Sequence, residues 1–192
     1  MVITRTTLPT DTTIISLSDA KAHLRVTHSD DDDYITALIT AAREWVENYC
    51  KCWVGDSAGK LKLDTWPDGP YLHMPLHPLV SVQSVKYFNE AGTEITMTVT
   101  TDYRVDVDSV PPRIYFENIY STNDGPNVIV IDFTAGIAEA SVPKSIIYAM
   151  KILIADMYEN RQSSVVGTIT SPSRSVATVQ SLLSAFVLIM PD

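Results

Sequence analysis

Apolar residues change their spacing twice along this chain. Over 34–49 they fall three and four apart: Tyr34, Ile35, Leu38, Ile39, Ala42, Trp45, Val46 and Tyr49. That spacing gathers them on one broad stripe and predicts an amphipathic helix, the strongest helical signal in the sequence. Just upstream, "SLSDAKAHLRV" (16–26) predicts a shorter helix. Ser16 stands three residues before Asp19, the spacing of a capping box, and Leu17, Ala20 and Leu24 share a face.

From about Lys60 the period becomes two. "KLKLD", "VSVQSVKYF", "EITMTV", "YRVDVD", "RIYFE" and "NVIVIDF" alternate polar with β-branched or aromatic residues, the pattern of half-buried strands. Turn signals separate them: "PDGP" at 67, "NEAG" at 89, "SVPP" at 109 and "NDGP" at 123. These runs predict an antiparallel β unit over 60–136. Strands and helices do not alternate, which argues against a doubly wound nucleotide-binding fold.

Helical spacing returns in "VPKSIIYAMKILIADMYENR" (142–161), with Ile146, Met150, Leu153 and Met157 in line. Ser141 is the expected cap, and Pro143 lies in the first turn, where its missing N–H costs nothing. "QSSVVGTITSPS" (162–173) reads as a mobile polar loop. A last helix from about Ser175 aligns Val176, Val179, Leu183, Phe186 and Met190. Its end is unusually apolar, which suits either a partner surface or docking on its own core. The expected fold class is α+β. N- and C-terminal helices (14–56 with 141–190) form a helical bundle, and 60–136 is an inserted antiparallel β domain.

Composition narrows the role. The chain has 192 residues, 45% hydrophobic and 19% charged, which is ordinary for a globular protein. Formal net charge is −9, from 23 acids and 14 bases, and this argues against gripping nucleic-acid phosphates or anionic membranes. The longest apolar run, "AFVLIM", is far shorter than a spanning helix requires, and the N-terminus lacks an apolar leader, so a soluble, cytoplasmic product is expected. Cys50 and Cys52 are too close for an unstrained disulfide and read as reduced thiols.

The most conspicuous feature is "DDDD", Asp30–Asp33, directly before the long stripe. A calcium loop needs spaced oxygens, a glycine turn and a distal acid, and none is present here. At a helix start, carboxylates meet unpaired N–H groups and the positive end of the dipole. Helix initiation is therefore the preferred reading, with Asp30 or Ser29 as cap. His73 and His77, flanked by prolines, could join Cys50 and Cys52 only in an irregular zinc set. No nucleophile elbow, P-loop, H-E-x-x-H or G-x-G-x-x-G occurs. Trp45, Trp53 and Trp66 lack interleaved basic residues and read as core or edge. The residues thus predict no catalytic centre, no cofactor and no metal.

The order of segments adds a resemblance. "ISLSDAKAHLRVTHSDDDDYITALITAAREWVENY" (15–49) resembles the opening of the tailed-phage head–tail connector proteins, the gp6-like and phiE125 gp8-like group. That group opens with a Leu-x-x-A-K-x-H-L-R segment, an acid cluster and an A-A-R-x-x-V-E helix. "VPKSIIYAMKILIADMYENR" looks like its second marker, and "VATVQSLLSAF" (176–186) is similar to its closing helix. Together the three blocks cover about a third of the chain, in the group's order. One departure is the end "FVLIMPD", where the group often has a short polar tail with an aromatic and an arginine.

The resemblance implies a structural protein of the virion head–tail junction, made in the host cytoplasm. It implies a homo-oligomeric ring of about twelve subunits below the portal, extending the DNA channel and meeting a stopper or tail-completion protein. An acidic wall lets passing DNA slide without specific binding. Asp30, Asp31, Asp32 and Asp33 then start the ring-building helix and are candidates to face the channel. Arg43, Glu44, Glu47 and Arg161 are the expected exposed subunit-interface residues, and Phe186, Leu188 and Met190 the expected portal contacts. Rival readings are another head- or tail-completion protein such as a stopper, a ligand-binding β module, or a metal hydrolase with an unrecognised site.

Overall fold

The computed structural model describes residues 1–7, 14–160 and 174–190. They form an α+β fold that divides into two compact units. One takes Pro9–Gly55 and Ala138–Val187, and the other Met1–Leu8, Asp56–Ile137 and Leu188–Asp192.

The helical unit holds α1 (Leu17–Leu24), α2 (Asp32–Cys50), α3 (Lys144–Glu159) and α4 (Arg174–Leu183). Helix α1 starts as a reciprocal cap. The Asp19 N–H donates to Ser16 Oγ at 3.0 Å, and the Ser16 hydroxyl donates to the Asp19 carboxylate at 2.6 Å. The chain leaves α1 through Arg25 in the left-handed region, φ 60°. Helix α2 buries the predicted stripe, with Ile35, Ile39, Ala42 and Val46 wholly removed from solvent. Helix α3 buries Ile146, Ala149, Met150, Leu153 and Ile154, and packs against both α2 and α4.

Three details of the helix ends differ from expectation. The N-cap of α2 is Asp31, and its carboxylate makes no capping bond, so neither Asp30 nor Ser29 caps by side chain. Ser141 ends a preceding 3₁₀ turn (Glu139–Ser141), and the N-cap of α3 is Pro143. The last apolar stripe does not continue to Met190. Helix α4 stops at Leu183, a 3₁₀ turn spans Ser184–Phe186, and Val187 is already extended. The predicted loop 162–173 lies outside the described residues.

The β unit contains a five-stranded antiparallel sheet in the order β1 (Val2–Arg5), β2 (Ser57–Leu63), β8 (Ile129–Ala135), β4 (Leu79–Phe88), β5 (Glu94–Thr96). Strands β2 and β8 alternate strictly between buried and half-buried positions, as their sequences require. On the more open face Lys60 lies across from Asp132 and binds it at 2.6 Å, while Ser84 of β4 donates to the same carboxylate at 2.8 Å. A second sheet has the order β3 (Tyr71–His73), β7 (Arg113–Phe116), β6 (Tyr103–Asp106). Trp66 touches both sheets. Its ring meets Phe116 of β7 edge-on at 5.1 Å and Tyr87 of β4 at 5.9 Å, and its Nε1–H donates to the Tyr120 carbonyl.

Asp102 holds the turn between β5 and β6. Its carboxylate accepts the Thr98 N–H at 2.6 Å and the Tyr120 hydroxyl at 2.7 Å, though the residue is only 9% exposed. The Thr98 N–H, followed by the Tyr120 hydroxyl, holds its carboxyl below the usual range. A depressed folded pKa stabilises the fold at pH above the unfolded value of about 3.9, and that contribution disappears as pH falls through the folded value. Asp102→Asn should therefore lower stability at neutral pH and flatten the loss of stability on acidification, read from urea midpoints across pH. In α2, Ile39→Ala should cost about 2–5 kcal/mol in the same assay, since its side chain is wholly enclosed.

Candidate functional site

The four aspartates separate into two pairs. Asp31 accepts the Tyr158 hydroxyl of α3 at 2.6 Å, and Asp32 binds Lys21 of α1 at 2.6 Å. The carboxylates that open α2 thus tie it to the helices on either side. Tyr34, on the first turn of α2, adds a ring contact with Tyr158 at 6.1 Å. Asp30 and Asp33 point outward; the Asp30 side chain is 90% exposed and lies 3.8 Å from His28.

The expected interface residues also separate. Glu44 is exposed on α2. Arg43 is not, being only 3% exposed, because it lies on the packed side of the helix beside Glu47. Glu47 is turned inward as well and accepts the Val54 N–H at 2.8 Å, so it fixes the chain that leaves α2. Both serve the interior of the helical unit rather than its exposed surface. Arg161 lies outside the described residues. Of the expected portal contacts, Phe186 is half-buried, Leu188 is 5% exposed and Met190 is 41% exposed. Leu188 groups with the β unit and is buried, whereas Ile189 next to it is 80% exposed.

One surface was not anticipated from sequence. The strand registers of the small sheet set Tyr71, Tyr115 and Arg104 side by side in one row, and His73, Arg113 and Asp106 in the next. Arg113 lies 5.0 Å from the Tyr71 ring centre, Arg104 lies 5.4 Å from that of Tyr115, and the two rings are 5.1 Å apart. Tyr71, Arg104, Val105, Asp106, Arg113 and Tyr115 line an open cleft of about 390 Å³. The alternation in "YRVDVD" and "RIYFE" predicts which residues share a face within each strand. Only the register across strands shows that the arginines and tyrosines converge.

Chemically these surfaces can pair charges and stack rings. The described residues hold no cluster of three or more histidine, cysteine or acidic side chains able to bind a metal. Cys50 and Cys52 are both buried and free, and the Cys52 thiol is pushed far up by its hydrogen bond with Cys50 and by burial. No helix among the described residues is long and apolar enough to cross a membrane.

The profile of the phage gp6-like head–tail connector proteins matches residues 14–112. The chain belongs to that family and is a structural head–tail connector. Comparison with curated proteins gives no match. Among solved structures the chain is similar to a chain in the neck of an empty gene transfer agent particle computed with C6 symmetry, at TM-score 0.80 and 21% identity. It is also similar to chains in the virion of the native gene transfer agent particle (TM-score 0.78, 21% identity) and in the neck of the native particle computed with C12 symmetry (0.77, 20%). Each likeness covers 100% of this chain and 98% of the other.

The Asp31–Tyr158 bond is half-buried and charge-assisted, so Tyr158→Phe should cost about 1–2 kcal/mol of stability. Tyr158→Phe and Asp31→Asn combined should cost clearly less than their sum, as read from urea unfolding in a double-mutant cycle.

Proposed function

We propose that the chain acts as the adaptor ring of a tailed phage or related particle, seated under the portal at the head–tail junction. In this reading it extends the DNA channel and offers the surface on which a stopper or tail-completion protein docks. The observation that carries the reading is family membership joined to a fold that aligns along its whole length with chains of particle necks computed with C6 and C12 symmetry. A ring of about twelve copies needs a heterologous interface, in which one face of a subunit meets a different face of the next. Glu44 on α2 is available for that contact. The net charge of −9 suits a wall past which DNA slides without binding.

The portal contact is assigned to the exposed end of the chain. Ile189 and Met190 present apolar surface that the fold leaves uncovered, with Phe186 beside them in sequence. Leu188 anchors this end from within the β unit.

Particles made without this chain should accumulate DNA-filled heads and separate tails, and supplying the chain should restore joined particles. Normal joining in its absence would refute the reading. Ile189→Asp with Met190→Asp should leave thermal unfolding unchanged and abolish capture on immobilised portal. Leu188→Ala should instead lower stability by about 2–5 kcal/mol.

A further inference from the structure

We propose that the arginine–tyrosine cleft on the β3–β7–β6 sheet binds the Asp30 and Asp33 carboxylates of a second copy of this chain. The cleft presents two arginines beside one lining carboxylate, Asp106. Arg113 gives its Nε to Asp106 at 3.0 Å, and Arg104 gives one terminal nitrogen to Glu117. Their other guanidinium N–H groups take no hydrogen-bond partner among the described residues. The Arg104 side chain is 64% exposed and that of Arg113 40%. Each guanidinium lies over a tyrosine ring, which holds the fork in place and lowers the cost of ordering it on binding. Arginine forks with spare donors suit carboxylate partners.

The occupant follows from charge and presentation. Asp106 and Glu117 balance the two arginines, so the face offers no continuous cationic track of the kind a nucleic-acid backbone needs. Among the acids of this chain, Asp30 and Asp33 stand out. Their neighbours Asp31 and Asp32 are pinned to α3 and α1, which makes the helix start a rigid mount for the outward pair. A cleft on one surface and an acidic tip on another are different patches of one chain, as a heterologous contact requires. Tyrosine and arginine are also the residues that dominate protein interfaces. The proposal deepens the ring reading and rests on it. It assigns Asp30 and Asp33 to the subunit boundary and not to the channel wall.

The test is self-association of the full-length protein at low salt, by sedimentation over a concentration series reaching millimolar. Variants are Arg104→Glu with Arg113→Glu, Asp30→Lys with Asp33→Lys, and the chain carrying all four changes. Each reversal should weaken association by about tenfold or more, and the fourfold variant should return to within about threefold of wild type. Arg104→Gln with Arg113→Gln, on an exposed face, should match wild type in thermal unfolding and still weaken association. Any of four results would overturn the proposal: no association of wild type at millimolar concentration, indifference to either reversal, failure of the fourfold variant to recover, or duplex DNA binding that the arginine changes abolish. The last would hand the cleft to nucleic acid. If particle joining needs the chain but association ignores the reversals, the adaptor role stands and this contact falls. If the contact behaves as stated but particles join without the chain, the contact stands and the role falls.

Discussion

The start of α2 is the point on which the helical unit depends. Ile35 and Ile39, in the first turns of the helix, are themselves completely removed from water, and such burial is the main favourable term available to a unit of this size. Burial alone does not set the angle or register of a helix among its neighbours. That is done by two carboxylates one residue apart, Asp31 reaching Tyr158 of α3 and Asp32 reaching Lys21 of α1. Adjacent residues on a helix point about 100° apart, so consecutive acids can reach opposite neighbours. An acidic run that looks redundant in sequence is a division of labour in space.

This explains what could and could not be read from sequence. The stripe from Tyr34 to Tyr49 placed α2 because its period is long and regular, and the alternating runs placed β2, β4, β6, β7 and β8 for the same reason. Strand β1 was missed because "VITR" has four residues and neither face of the strand is covered, so there is no alternation to detect. Strand β3 was missed because "YLH" is three residues long and prolines surround it. The extended end after Phe186 was read as helix because Phe186 and Met190 happen to continue the α4 spacing.

Site residues were less legible than elements. Arg43 and Glu47 have the charge expected of an exposed interface, but they fall on the packed side of α2, where Glu47 fixes the Val54 backbone. Leu188 has the character of a docking residue and is spent inside the β unit. The converse error is the Arg104–Arg113 cleft. Each of its residues is an unremarkable polar position in its own strand, and their meeting depends on a register that no single strand encodes. The resemblance to the connector family supplied the role, and the strand registers bring together residues that the role's proposed contacts draw on.

A connector is defined by what it assembles into, so the decisive observation is a mass and an image. Purified chain would be mixed with assembled portal, and the complex examined by light scattering and negative stain. The account predicts a closed ring of this 21.2 kDa chain stacked coaxially on the portal, with subunits in a number matching a sixfold or twelvefold neck. A chain that stays monomeric beside excess portal, or that binds it in scattered copies without closing, would contradict it.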